Sequence, residues 1–234
     1  MHIRPANPQD LPDCATIARD AMFDDDLTVY LAPYRHTHPE CLRQGVLRRV
    51  KKRYYDDHTT LVAVTDEDDA EWNGIEKVVG YLSAGSSMHK EQNTRRLFSW
   101  KAFEVRLLRL EELFIWYTNS DRSISQAKWL EYWRSTASGT RGPLAEIKEY
   151  WEVDHLSVAP ASHRRGIGSA LVEYVKRIAS TDNLPVVLFA SVKGRPMYKR
   201  AGFLELGPAT LGTGHVSEAM AWYPGSPTSS NRLE

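Results

Sequence analysis

Short apolar runs and stretches of helical period alternate along the first ninety residues. A brief strand at 2–5 leads to a helix near 8–22, with Asp10 placed as its N-cap and Leu11 and Pro12 entering it. Asp24, Asp25 and Asp26 form a polar break before a second helical stretch, and they are read as solvent-facing or as bordering a pocket. Residues 39–57 set Leu42, Val46, Leu47 and Val50 on one face, with Arg43, Arg48, Arg49, Lys51 and Lys52 around it, the pattern of an amphipathic helix. Its basic run, continued by Arg53 and followed by Tyr54 and Tyr55, is read as a charged outer face. Apolar runs at 60–64 and 77–82, joined by the acidic stretch 65–71, predict a hairpin with a solvated loop.

Residues 90–148 follow a different pattern. Leu97, Trp100, Phe103, Leu107, Leu110, Leu113, Phe114 and Tyr117 recur at helical spacing, and Trp129, Leu130, Tyr132 and Trp133 follow, so two or more helices are predicted with most of their rings in the core. Residues 138–143, from Ser138 to Pro143, mark a loop back toward the next strand. A strand through Val153 to Val158 then meets a turn and a helix whose Ile167, Ala170, Leu171, Val175 and Ile178 share one buried face. The apolar run from Leu184 precedes a very short helix, with Pro196 in its first turn, Tyr198 inside it and Gly202 just past its end. A last strand is predicted at 216–223.

Composition narrows the class without naming a chemistry. The 234 residues are 42% hydrophobic and 26% charged, which suits one substantial core. We expect a single domain over 1–223, with a helical insertion at about 90–148 and a flexible tail over 224–234. Thirty basic and thirty acidic residues cancel, so no whole-chain field draws the protein to nucleic acid or to a membrane surface, and neither is expected as a partner. Only Cys14 and Cys41 occur, and no apolar run reaches the roughly eighteen residues of a membrane span, so a reducing, cytoplasmic setting is the expectation. His36, His38 and Cys41 lack a second ligand pair and are read as solvated residues at a helix start, so no metal is expected.

Chemistry enters at the glycine turn. Gly166 and Gly168 let the main chain bend tightly and approach a ligand, the helix that follows offers free N–H groups to phosphate, and Arg164 and Arg165 add charge beside it. These residues, with Tyr198, Gly202 and Phe203 on the next strand-helix unit and Ser191 seven before the tyrosine, resemble the signature of the GNAT superfamily of N-acetyltransferases. His163 departs from it, standing where Gln or Arg is usual. The resemblance covers roughly 1–88 and 150–223 and leaves the middle uncovered. A dinucleotide-binding oxidoreductase is excluded, because Leu171 stands at the third glycine position and too little chain follows.

The resemblance implies an α/β (α+β) fold of GNAT type: a mixed, mostly antiparallel twisted sheet flanked by helices, with the insertion between the third and fourth strands. It implies acetyl-CoA as co-substrate, held by the backbone of Arg164, Arg165, Gly166, Ile167, Gly168 and Ser169, with Leu156, Ser157, Val158, His163, Ser191 and Tyr198 beside it. Strand N–H groups near Ser157 or Val158 would polarise the thioester carbonyl where the fourth strand splays from the fifth. Tyr198 is the candidate acid for the leaving thiolate, against a ring that merely packs in the core. Glu152 leads as base with Asp154; the two-residue period puts both on one strand face and His155 on the other, and both are alternatively amine-binding or structural carboxylates. The acceptor expected is a small-molecule amine, with Trp116, Tyr117, Trp129 and Trp133 the rings that would roof its pocket. The alternatives are a non-catalytic acyl-CoA binder and an enzyme acting on a protein lysine or N-terminus.

Overall fold

Along β2 (Thr59–Val64) neighbouring side chains enter different cores: Leu61 and Ala63 join one apolar cluster, Val62 and Val64 another. The computed structural model describes residues 1–56, 58–69, 72–88, 99–137, 142–211 and 215–225. Of the positions singled out above, Ala70, Glu71, Leu97, residues 138–141 and residues 226–234 lie outside the described residues.

The remaining strands are β1 (His2–Pro5), β3 (Val78–Ser86), β4 (Trp151–Val158), β5 (Val186–Ala190), β6 (Leu204–Leu211) and β7 (His215–Trp222). They form one sheet in the order β1-β2-β3-β4-β5-β7-β6, antiparallel at every junction except β4–β5. The longer helices are α1 (Leu11–Met22), α3 (Pro39–Tyr55), α4 (Trp100–Thr118), α5 (Gln126–Ala137) and α6 (Ile167–Thr181); α2 (Asp26–Leu31) and α7 (Arg195–Arg200) are one to two turns each. Helices α1 and α3 cover one face through Leu11, Cys14, Ile17 and Val50. Helix α6 covers the other through Ile167, Leu171, Val172 and Val175, with Ile178 packed against the same cluster, which is the predicted face with Val172 added and Ala170 at its half-buried edge.

The predicted hairpin, the two helices between β3 and β4, and the closing strand are all present. Two local expectations are corrected and one strand is new. Asp10 stands before α1, but its carboxylate turns away from the helix to Arg4 and to the Asn7 N–H. Strand β6 was not anticipated; it is an edge strand, which tolerates Pro208, and Leu206 bulges out of register there. The rings of the insertion are mostly outside the core: Trp100, Phe103, Leu107, Leu110, Leu113, Phe114 and Tyr117 are all exposed. Helix α4 packs on α3 with its other side, through buried Val105 and Leu108 and the ion pairs Arg48–Glu111 and Lys52–Glu112.

Candidate active site

The site begins with a defect in β4. Ser83 pairs with His155 and Ala84 with Val153, so Asp154 is an extra residue, a β-bulge. Before it, Trp151 and Val153 enter the core under α6; after it, Leu156 and Val158 do. The bulge therefore brings Asp154 and His155 to the same side, where both line one cavity, and corrects the expectation that they face apart. Strand β4 also leaves β5 here, since their parallel pairing covers only Trp151–Val153 against Val186–Leu188.

On the α6 side the predicted turn has the required conformation. Gly166 is left-handed at φ 79°, and a Cβ there would meet nothing within 4 Å. The first helical hydrogen bond runs from Ala170 N–H to Gly166 O, which leaves the first-turn N–H groups of Ile167, Gly168 and Ser169 without intrahelical acceptors. Such a turn fits a pyrophosphate. Gly168 answers a packing need instead of a ligand's approach: a Cβ on it would lie 3.1 Å from Met197 Sδ. Arg164 is exposed with φ 63°, whereas Arg165 is tied to Asp69 at 2.7 Å, across the acidic β2–β3 loop. The His163 ring donates from Nε2 to the Val158 carbonyl at 2.9 Å, so this residue ties the turn to the end of β4.

Tyr198 is buried among the residues under α6, its ring edge-on to Phe203 at 5.6 Å. Burial pushes its phenol pKa well up, so the hydroxyl keeps its proton. Ser191 is exposed, and its Oγ accepts from the Gly194 N–H ahead of α7.

The opposite side holds a cavity of about 400 Å³. Its walls come from α1, α2, α3, β3, β4 and α5, with Met22, Leu27, Leu31, Trp129 and Tyr132 supplying apolar surface. Trp129 and Tyr132 belong to the insertion; Tyr117 is 91% exposed and Trp133 54%, and neither lines the cavity, nor does Trp116. Asp24, Asp25 and Asp26 stay outside it as well. Helix α5 is held to α2 by the Tyr30 hydroxyl, which donates to Glu131 at 2.7 Å, and by Lys128 over the Tyr30 ring. Glu152 is half-buried and in register with Gly85 and Val187, outside the cavity lining.

Two histidines flank Asp154. His58 Nε2 lies 3.0 Å from Asp154 Oδ2 while its Nδ1 faces the Asp56 carbonyl at 3.2 Å. Both ring nitrogens meet acceptors, as in an imidazolium; burial lowers the His58 pKa, but Asp154 and Asp56 outweigh it and the net shift is upward. His155 is the reverse case. It stacks on Tyr81 at 4.9 Å and meets Ser157 Oγ at 2.7 Å, and burial, helped by Arg53 and Arg49, pushes its pKa down to about 3, leaving it neutral.

Arg49 and Arg53 also line the cavity, which corrects the reading of the basic run as an outer face. An amphipathic pattern shows that a side of α3 is polar; it does not show that an inserted helix roofs that side. Sequence reasoning also missed His58 and Tyr81, for which no motif exists.

Residues 131–223 match the family described as acetyltransferase (GNAT) domain. Over these residues the chain is similar to GNAT acetyltransferases. The solved structures agree on the fold. One described as histone acetyltransferase HPA2 and related acetyltransferase, from Corynebacterium glutamicum, superposes with TM-score 0.62 at 18% identity over 97% of each chain. An N-acetyltransferase from Staphylococcus aureus gives 0.55 at 18% identity, covering 95% of this chain and 100% of its own. A putative arylalkylamine N-acetyltransferase 7 from the yellow fever mosquito gives 0.56 at 14%, covering 94% and 86%. Comparison with curated proteins finds no match. Strand β4 carries the core under α6 on one side and the cavity on the other.

Proposed function

We propose that this domain moves an acetyl group from acetyl-CoA to the primary amine of a small molecule, by direct attack in a ternary complex. The observation that carries the reading is the parting of β4 from β5 after Val153, on the strand that packs under α6 with one side and lines the cavity through Asp154 and His155 with the other. The α6 turn takes the pyrophosphate, and the gap takes the pantetheine arm. The amine nitrogen attacks the thioester carbonyl from the cavity side, the C–S bond breaks, and the thiolate takes the Tyr198 proton. The proton lost by the amine goes to Asp154, the β4 carboxylate that lines the cavity, with His58 holding it in place; Glu152, two residues back on the strand, is the competing base.

Thermal unfolding with acetyl-CoA, NADH and ATP tests the donor. Acetyl-CoA alone should stabilise the fold, by about 2.7 kcal/mol at one hundred times its dissociation constant, and a flat response would remove the reading. Side by side, Asp154→Asn should lower kcat by about a hundredfold and Glu152→Gln by much less; the opposite ranking would hand the role to Glu152.

A further inference from the structure

The cavity contains an unanswered set of donors. Trp129 Nε1 is buried with no hydrogen-bond partner among the described residues, and Tyr81 Oη is buried with no acceptor for its proton, its oxygen facing the Arg53 guanidinium. Arg49 and Arg53, one helical turn apart on α3, form no ion pair among the described residues; Arg49 has the Trp129 ring, 5.8 Å from its guanidinium carbon, and the charge of Asp121 beyond ion-pair distance. The acids in the same wall are already engaged. Asp121 accepts from the Ser123 N–H and O–H and lies 3.5 Å from Arg48, and Asp154 faces His58. Two like charges on one half-buried helix face, beside a phenol O–H with no acceptor and an indole that only donates, cost free energy unless an acceptor from outside meets them.

We infer that the acceptor amine carries a carboxylate, which Arg49 and Arg53 bind with the Tyr81 hydroxyl and the Trp129 N–H. The inference rests on the acetyl-transfer reading for the amine but not for the acid. The substrate class is then an amino acid or another amino-carboxylate, its acid at the α3 wall and its nitrogen toward Asp154. The apolar lining from Leu27, Leu31 and Tyr132 suits a hydrophobic body between the two ends. A guanidinium pair suits the planar two-oxygen geometry of a carboxylate better than a point acceptor. An arylalkylamine without an acid would leave both arginines unmet.

The test separates the acid from the reaction. Phenylacetate, indole-3-acetate and hexanoate, each beside its neutral amide, are titrated into the full chain while unfolding temperature and tryptophan fluorescence are followed. At least one acid should bind about tenfold or more tighter than its amide, and Arg49→Met and Arg53→Met should each remove that preference. Acids and amides binding alike, no acid binding at tens of millimolar, or a preference that survives both substitutions would overturn the inference. The acid-against-amide contrast on the unaltered protein needs no variant to fold. Acetyl-CoA run in parallel keeps the two readings apart: its stabilisation without acid binding sinks this inference alone, and acid binding without it sinks only the acetyl-transfer reading. With the acid site established, L-phenylalanine should be acetylated in preference to L-phenylalaninamide and 2-phenylethylamine; the reverse order would place the carboxylate outside the substrate.

Discussion

The turn before α6 and the cavity beside α3 lie on the two sides of one strand but are made of different material. The turn is a single continuous stretch whose open groups are backbone N–H, so its chemistry depends on where two glycines and a helix start fall. The cavity draws polar side chains from α1, α2, α3, β3, β4 and the insertion, elements far apart along the chain. A site of backbone is written locally and carries little information about what it binds beyond charge. A site of side chains is written only in the packing, and there the particular donors and acceptors select the ligand.

That contrast breaks most visibly at Gly168. Leucine there would drive into Met197 and β4, cost about 1–3 kcal/mol of stability, and abolish the stabilisation by acetyl-CoA while the carboxylate preference of the cavity persists; joint loss of both, in calorimetric titrations, would mean the two sides are one unit. Tyr198→Phe should lower kcat about tenfold or more and leave acetyl-CoA affinity nearly unchanged, and equal turnover in steady-state assays would reduce Tyr198 to packing against Phe203.

A third test uses acid. His155 is held neutral, with its folded pKa near 3 and its unfolded value near 6.5, so below about pH 6.5 the unfolded chain binds a proton that the folded chain refuses. Its contribution is full above that pH and is lost by up to about 1.4 kcal/mol per pH unit as the pH falls toward 3. Denaturant unfolding of His155→Gln across this range should show a shallower loss, and parallel curves would contradict the buried, neutral ring. The smallest effect belongs to His163→Ala, which removes one tie between the turn and Val158: acetyl-CoA binding should weaken by about 1 kcal/mol or less with no change in the carboxylate preference.

The same division explains what the sequence told. Gly166, Tyr198, Gly202 and the helix face of Ile167, Leu171 and Val175 were legible because turn chemistry and helical period are local. The fold followed from the family resemblance they carry, including the place of the inserted helices. The bulge at Asp154 was not legible, because an Asp beside a His in a strand has no signature of an extra residue, and the error put His155 on the wrong side. Arg49 and Arg53 were visible as charges, but what faces them comes from α5, some eighty residues later. The apolar spacing of α4 announced a helix and misled about burial, since ion pairs to Arg48 and Lys52 settle which side of it packs.

The extra residue in β4 also governs how this chain can diverge. A point substitution within 151–158 alters one side chain and leaves every other where it was. Loss of a single residue at Asp154 would restore an unbroken alternation, so that in the stretch that follows either the residues facing the acceptor and those facing the α6 core trade places or the pairing with β3 slips. Descendants of this chain are therefore free to change acceptor by replacing residues in the cavity wall, while the length of this strand is closed to change.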